Sequence, residues 1–330
     1  MKTTLMDFTR RTAREMRERG QYSAAKTCLS AVRGLLAVAH NEALPLCGLT
    51  PALLKAYKHH LLARQRSRNT VSLYMRTLQN ICHRATRQGV AHIPDSLFAG
   101  RHAGTEPMLH RAVTPAVIHK LRDAELTEKN ARLAFARDVF MLSFYLRGIP
   151  FIDLAHLRKC DLRNGVIIYR RRKTGQAACV RLEPCALQII RRYAPLAKGT
   201  PYLLPFIRRQ GTADQEQCWY ESALRLYNKH LNLLSERLEL GVRLTSYVAR
   251  HSWATIAHDI GEDVADISAA LCHSSEKMTR NYLQSFSPDR LADVNRRVLG
   301  TIDENKRRET GKKQREKRKI PKEIFYSGSL

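Results

Sequence analysis

The chain has 330 residues and carries 57 lysines and arginines against 30 aspartates and glutamates, a formal net charge of +27. A chain of this length usually divides into two domains, and a hydrophobic content of 44% is enough to build real cores. The positive charge far exceeds what solubility requires. It indicates a polyanionic partner, with nucleic acid as the first candidate and an anionic membrane surface as the second.

Composition excludes several classes of protein. No apolar run approaches the roughly 18–20 residues of a membrane span, and Asp7 precedes any stretch that resembles a secretion signal. Eight cysteines are scattered singly without a CxxC pair, so neither a disulfide framework nor a zinc site is predicted. The basic residues are spread along the chain, which weakens the membrane alternative. We expect a cytoplasmic, nucleoid-associated protein with no cofactor, metal or membrane partner.

Helices dominate the first hundred residues. Threonine followed by proline is a typical helix start, because the hydroxyl caps the first turn and proline fits the first helical position. The fourth helix is predicted to point Leu73 inward and Arg76 and Arg84 outward, as candidate DNA contacts. The predicted helices cover 7–19 and 23–38 and begin at Thr50-Pro51 and at Asn69-Thr70.

The second part of the chain contains its one clear β region. The β-branched run 166–169, a turn at 173–176 and a return over 178–182 predict an antiparallel hairpin, and a strand near 157–162 would add a third member. Helices surround it in the sequence. They are predicted from Thr114-Pro115 and over 128–146, 220–238, 247–260, 264–271 and 276–283.

Glycine and proline recur between residues 89 and 111, which is typical of a linker. We therefore expect a helical unit over 1–100, a linker over 101–112, a second unit over 113–300 and a basic tail over 301–330. The fold class is mainly α with a small antiparallel β-sheet.

Three stretches carry candidate chemistry. Arg147 ends an apolar helix, Arg250 lies in Ser-Tyr-Val-Ala-Arg-His-Ser-Trp-Ala-Thr, and His273 lies in Leu-Cys-His-Ser-Ser, with Tyr282 beyond it. The pattern resembles the tyrosine recombinase, or phage integrase, family. That family has a first arginine, an H-x-x-R-H-[ST]-[FW]-A-T box, and an L-G-H-[ST]-S box followed by a tyrosine. The spacings from Arg250 to His273 and from His273 to Tyr282 also match.

The residue types fit attack on a DNA phosphodiester. Negative charge gathers on the phosphoryl oxygens in the transition state, and arginine stabilises it because it stays protonated and binds two oxygens at once. We predict this role for Arg147 and Arg250, with His273 bonding a phosphoryl oxygen or assisting proton movement. Tyr282 is the predicted nucleophile. A phosphotyrosyl bond would conserve the energy of the phosphodiester, so no ATP or metal is expected.

The resemblance implies further roles and partners. A lysine on the β-hairpin is the family's general acid, which implicates Lys173, and the neighbouring Arg170, Arg171 and Arg172 are candidate DNA contacts. The family implies a helical, SAM-like core-binding domain and an α+β catalytic domain clamped around the duplex. It also implies four protomers that act on two DNA recombination sites through a Holliday junction, with a monomer or weak dimer off DNA. Accessory DNA-bending or excision factors are optional partners.

Two positions depart from the family pattern. Tyr247 replaces the usual histidine; it can donate a hydrogen bond to phosphate, but a phenol with a pKa of about 10 is a poor proton shuttle at neutral pH. Cys272 replaces the usual glycine, and we expect an ordinary backbone there. Asp153 and His258 are expected to be surface or supporting groups.

Four functions remain open. Integration or excision of a mobile element is the first reading, and promoter or gene inversion by the same chemistry is the second. A relaxing topoisomerase shares the chemistry but has less need of a separate N-terminal unit. A DNA-binding regulator would explain the charge but not the ordered Arg, Lys, Arg, His and Tyr.

Overall fold

The structure is a computed structural model, and it describes residues 3–99, 112–273 and Thr279. The proposed nucleophile Tyr282, the basic tail and residues 100–111 lie outside the described residues, as does the helix predicted over 276–283 except for Thr279. The described residues form two large hydrophobic cores, one between Leu5 and Phe98 and one between Val113 and Ala249.

Four α-helices form the N-terminal unit, as the sequence predicts. Side-chain oxygens of Thr4, Thr50 and Ser67 accept backbone N–H groups at the starts of the first, third and fourth helices, which satisfies donors that lack an intrahelical partner. The predicted Thr50-Pro51 start is confirmed. The helices are α1 (Leu5–Glu18), α2 (Tyr22–Ala39), α3 (Pro51–Ala63) and α4 (Arg68–Arg87).

The predicted orientation of α4 is wrong at two residues. Leu73 is 45% exposed, whereas Val71 and Met75 are fully buried. Two residues rotate a helix by about 200°, so Leu73 falls on the face opposite these neighbours. Arg84 is half-buried and forms an ion pair with Glu15 of α1, so it joins two helices instead of pointing outward.

The C-terminal unit contains seven α-helices among the described residues. The sequence did not predict α7 and α8, and the predicted start of α9 is seven residues too late. Helix α9 starts earlier because Thr212 and Gln215 form a capping box at its N-terminus. The helices are α5 (Pro115–Arg122), α6 (Ala131–Tyr145), α7 (Phe151–His156), α8 (Pro184–Tyr193), α9 (Ala213–Arg237), α10 (Val248–Asp259) and α11 (Val264–Ala270).

A three-stranded antiparallel sheet lies between α7 and α8 in the chain. Its strands are β1 (Leu162–Arg163), β2 (Val166–Arg170) and β3 (Ala177–Arg181), in the order β1-β2-β3. The predicted fold class, mainly α with a small antiparallel sheet, is confirmed. The first strand is shorter than predicted, because Lys159–Asp161 form a 3-10 turn where the strand was expected to run.

Helix α6 runs through the centre of the second unit. Its residues Val139, Phe140 and Leu142 are fully buried and belong to the core that also contains residues of α9 and α10. The buried Ser252 of α10 accepts a hydrogen bond from Val113 N at 2.9 Å, which ties the start of this unit to the same helix. Helix α6 therefore ends against α10, where two of the motifs meet. Among the described residues, no helix is both long and apolar enough to cross a membrane.

Candidate active site

Arg147 occupies the turn that ends α6. Arg147 N donates to Phe144 O at 3.1 Å and Gly148 N donates to Ser143 O at 2.8 Å, the pattern of a Schellman turn. Such a turn needs a left-handed residue, and Arg147 takes φ 58° where glycine is the usual choice. This conformation costs roughly 1–2 kcal/mol for a residue with a Cβ. Backbone strain therefore coincides with a motif arginine, as is common at functional sites.

Gly148 lets α6 approach α10 closely. A Cβ on Gly148 would lie 2.5 Å from the Cα atom of Arg250, closer than real contacts allow. The carbonyl of Gly148 accepts a hydrogen bond from Arg250 Nη1 at 2.9 Å. The first two motifs are thus in direct contact through a position at which only glycine fits.

The side chain of Arg250 joins the second motif to the third. It is 2% exposed, and its Nη2 donates to Leu271 O at 2.6 Å and to His273 Nε2 at 3.0 Å. Two residues that are 23 positions apart in the sequence are therefore joined by one hydrogen bond.

Cys272 adopts a left-handed backbone, so the expectation of an ordinary backbone is wrong. Its φ is 50°, and it closes a second Schellman turn after α11, with Cys272 N bonded to Ala269 O at 2.9 Å and His273 N bonded to Ser268 O at 3.0 Å. The turn demands φ > 0 whatever residue occupies it, and it sets the direction in which His273 leaves the helix.

His273 is neutral near pH 7. Burial and the guanidinium groups of Arg250 and Arg171 lower the pKa of this histidine to about 4. Arginine only donates hydrogen bonds, so Nε2 must be the acceptor and the proton belongs on Nδ1, which lies 2.9 Å from the hydroxyl of the buried Thr279. One side of the ring therefore contacts a cation and the other is fixed by a hydroxyl.

Lys173 lies in the turn between β2 and β3 and is exposed, together with Arg170 and Arg172. Arg171 is different, because it is only 6% exposed. Its Nε lies 3.4 Å from Asp153 Oδ2, and its Nη1 donates to Leu271 O at 3.0 Å and Cys272 O at 2.8 Å. The expectation of a DNA contact at Arg171 does not agree with this buried position.

Asp153, expected at the surface or in support, has a supporting position. It is 2% exposed, and its Oδ1 accepts a hydrogen bond from Arg172 N at 2.8 Å while Oδ2 faces Arg171. Only an acidic residue six positions after Arg147 could have drawn attention to it, and that signal does not identify a partner. His258, also expected at the surface or in support, is 7% exposed.

Tyr247 directly precedes α10 and is 37% exposed. Its ring centroid lies 5.6 Å from that of His251. The phenol is therefore open to solvent beside the helix that carries Arg250, and it lies one helical turn before that arginine. In the N-terminal unit Arg76 is exposed.

These groups bring several cationic side chains together. Arg171 and Arg250 both donate to the carbonyl of Leu271, Arg250 also donates to His273, and the exposed Lys173 follows Arg171 on the hairpin. The combination offers several hydrogen-bond donors to an anion and one group able to deliver a proton. Within the described ranges, no group of three or more His, Cys, Asp or Glu could hold a metal ion.

The N-terminal unit is similar to a known family. Residues 4–97 match the family model of the phage integrase SAM-like domain. No curated protein sequence matches the chain. Among solved structures, the Tn1549 transposon integrase in complex with transposon right end DNA has a TM-score of 0.59 at 15% identity, covering 90% of this chain and 100% of that one.

Lambda integrase has the same fold. Its dimer bound to a COC′ core site has a TM-score of 0.57 at 14% identity, covering 85% of this chain and 77% of that one. A lambda integrase tetramer bound to a Holliday junction has a TM-score of 0.58 at 15% identity, covering 86% and 78%. At this identity the likeness establishes the fold alone.

Proposed function

We propose that this chain, whose N-terminal unit and fold are those of the tyrosine recombinase (phage integrase) family, cleaves and rejoins DNA at specific sites. The hydrogen bond between Arg250 and His273 carries the proposal, because it brings residues of two separate motifs into direct contact. Integration or excision of a mobile element is the biological role, and similarity to lambda integrase and a transposon integrase supports it.

The proposed reaction is a transfer of one phosphoryl group. Tyr282 Oη attacks the phosphorus and forms a 3′-phosphotyrosyl bond, while the bond to the 5′ oxygen breaks. Arg147 and Arg250 stabilise the charge on the phosphoryl oxygens, and Lys173 gives a proton to the leaving 5′ oxygen. Religation reverses these steps. Removing one such charge-stabilising donor typically slows a reaction about 10²–10³-fold.

We further propose how the protein holds DNA. The helical unit over 1–100 and the unit over 113–300 contact opposite faces of the duplex, joined by the linker at 101–112. Phosphate contacts are assigned to the exposed Arg76, Arg170 and Arg172, because carboxylates of the protein hold Arg84 and Arg171. Four protomers act on two sites, a proposal that the lambda integrase tetramer on a Holliday junction supports.

Covalent trapping tests the reaction. The substrates are duplexes with a randomised core and a nick. Cleavage beside the nick releases a short strand, so religation is prevented and the protein-linked strand accumulates. This covalent adduct survives denaturation. We expect an adduct with the wild type, none with Tyr282→Phe, and a normal adduct with Tyr22→Phe. Sequencing the trapped strands identifies the site. Absence of an adduct with any core, while the protein still binds DNA, would favour the regulator.

The biological role needs a second assay on the selected site. With sites on two plasmids, an integrase joins the two molecules. With two inverted sites on one plasmid, an invertase reverses the intervening segment. We expect intermolecular joining, and inversion without joining would replace the integrase reading with the invertase.

A further inference from the structure

Backbone hydrogen bonds of Arg171 close the loop that carries Lys173. Its backbone N donates to Gln176 O and its carbonyl accepts from Gly175 N, both at 2.8 Å. The residues between these bonds are exposed from Arg172 to Gly175. Lys173 thus lies in a short exposed loop whose position depends on how its base is held.

The side chain of Arg171 holds that base against the pocket. It lies 3.4 Å from Asp153 on α7 and donates to the carbonyls of Leu271 and Cys272, which are 100 and 101 positions away in the sequence. Asp153 also accepts the backbone N–H of Arg172 at 2.8 Å. The buried side chain of Arg171 therefore connects the hairpin with α7 through an ion pair and with the turn that presents His273 through hydrogen bonds.

The carbonyl of Leu271 links this arrangement to the phosphate-binding arginine. It accepts hydrogen bonds from Arg171 and from Arg250. The side chain at the hairpin base and the Arg250 guanidinium are therefore both hydrogen-bonded to one backbone oxygen. The turn has other support, because Cys272 N and His273 N bond back to α11 and Arg250 bonds to His273. The base of the hairpin loop contacts this turn through the hydrogen bonds of the Arg171 side chain.

We propose that Arg171 is a positioning residue that places Lys173 beside the leaving oxygen of the phosphate held by Arg250. This inference rests on the proposed function. Arg171 does not itself contact the substrate, and it is the exposed Lys173 that transfers the proton. A misplacement of about 1 Å is enough to slow a reaction about 10²-fold, so loosening the hairpin should act almost entirely on proton delivery.

The leaving group offers a direct test. In normal DNA the bond from phosphorus to O5′ breaks while a proton moves from Lys173 Nζ to that oxygen. If sulfur replaces the bridging 5′ oxygen, the leaving group is a thiolate, whose conjugate acid has a pKa of about 8.5 in a simple thiol and needs no proton to depart. A defect in proton delivery is therefore relieved by sulfur, whereas a defect in binding or charge stabilisation is not.

The experiment measures single-turnover formation of the covalent adduct on matched oxygen and sulfur substrates at the selected site. The test variant is Arg171→Lys, which keeps one positive charge. Its single nitrogen cannot face Asp153 and donate to the two carbonyls at the same time, as Nε and Nη1 of Arg171 do. Lys173→Ala is the reference for lost proton delivery, and Arg250→Lys is the reference for lost charge stabilisation. Arg181→Met, an exposed arginine on β3, is the matched control.

We expect Arg171→Lys to be slowed at least tenfold on the oxygen substrate and to return to within about threefold of the wild type on the sulfur substrate. Lys173→Ala should behave alike, Arg250→Lys should be slow on both, and Arg181→Met should be normal on both. Equal slowing of Arg171→Lys on the two substrates, or no slowing, overturns the positioning role. A wild type that forms no adduct on either substrate overturns the proposed function itself.

Folding is checked separately. Thermal unfolding and DNA binding are measured for each variant. If Arg171→Lys is unfolded, the neutral pair Arg171→Met with Asp153→Asn replaces it, because the asparagine oxygen can still accept the N–H of Arg172. The same rescue by sulfur is expected of this pair, and an equal loss on both substrates overturns the proposal.

Discussion

Arg171 and Arg250 donate to the same acceptor, the carbonyl oxygen of Leu271, at 3.0 and 2.6 Å. One arginine directly follows β2 and the other lies in α10, and the shared oxygen belongs to the residue that directly follows α11. Three segments that are far apart in the sequence are thereby held at one point. The same turn continues into Cys272 and His273, so its geometry controls the position of the histidine.

Gly148 should tolerate no side chain. Gly148→Ala places a Cβ 2.5 Å from the Cα of Arg250 and keeps a residue at φ 68°. We expect a loss of about 2–4 kcal/mol in the free energy of unfolding, from overpacking and backbone strain together, and adduct formation slowed at least tenfold. Denaturant unfolding and the trapping assay measure the two effects.

Gly165 supplies the control for that substitution. It has φ 73° and nothing within 4 Å of the position of a Cβ, so Gly165→Ala adds strain without a clash. Its loss should be limited to roughly 1–2 kcal/mol, with cleavage unchanged. Equal effects of the two substitutions on cleavage would show that the contact between Gly148 and Arg250 does not matter.

Cys272→Gly should stabilise the protein. A left-handed position with φ 50° favours glycine, and relief of the strain outweighs the extra freedom that glycine gives the unfolded chain. We expect a gain of about 0.5–1 kcal/mol in the free energy of unfolding. Cys272→Ala, which keeps a Cβ, should show no such gain. A loss on Cys272→Gly would mean that the thiol makes a larger contribution than the strain it imposes.

Stability should fall in mild acid because of buried histidines. Burial lowers the pKa of His156 to about 4, and burial together with Arg250 and Arg171 does the same for His273. Both groups titrate near 6.5 when unfolded, so the unfolded state binds more protons between these values. The contribution of these two histidines to the free energy of unfolding is complete above pH 6.5 and is lost as the pH falls toward 4.

The double variant His156→Gln with His273→Gln isolates this effect. Denaturant unfolding at several pH values should give a smaller loss of stability between pH 6.5 and 4 than in the wild type. Proton NMR should place the titration of His273 near pH 4. A midpoint close to 6.5 would contradict both the burial of the ring and its contact with Arg250.

Tyr247→His should keep or raise the rate of adduct formation. The phenol is partly exposed at the start of α10, so an imidazole fits there without repacking the core. Histidine also titrates near neutrality and can transfer a proton, which a phenol does poorly. Tyr247→Phe removes the hydroxyl and serves as the control. A large loss with histidine would assign tyrosine a specific role at this position.

Local patterns predicted much of the helical framework. The helix start at Thr50-Pro51 and the hairpin around Lys173 could be predicted from the sequence, because both depend on residues that are neighbours in the chain. Helix α7 was missed because it has only six residues between Pro150 and Leu157, too few to show a period. The predictions for Leu73 and Arg84 failed because the direction of a helix face depends on which helices it packs against.

The sequence by itself determined the order and spacing of Arg147, Lys173, Arg250 and His273, because these are properties of the linear chain. The order and spacing in turn indicated the kind of chemistry to expect. Only the tertiary structure decided that Arg171 is buried against Asp153 and that Cys272 is left-handed. The physical reason is separation: the hydrogen bonds of Arg171 reach carbonyls about a hundred residues away, and packing alone decides which distant groups share a buried space.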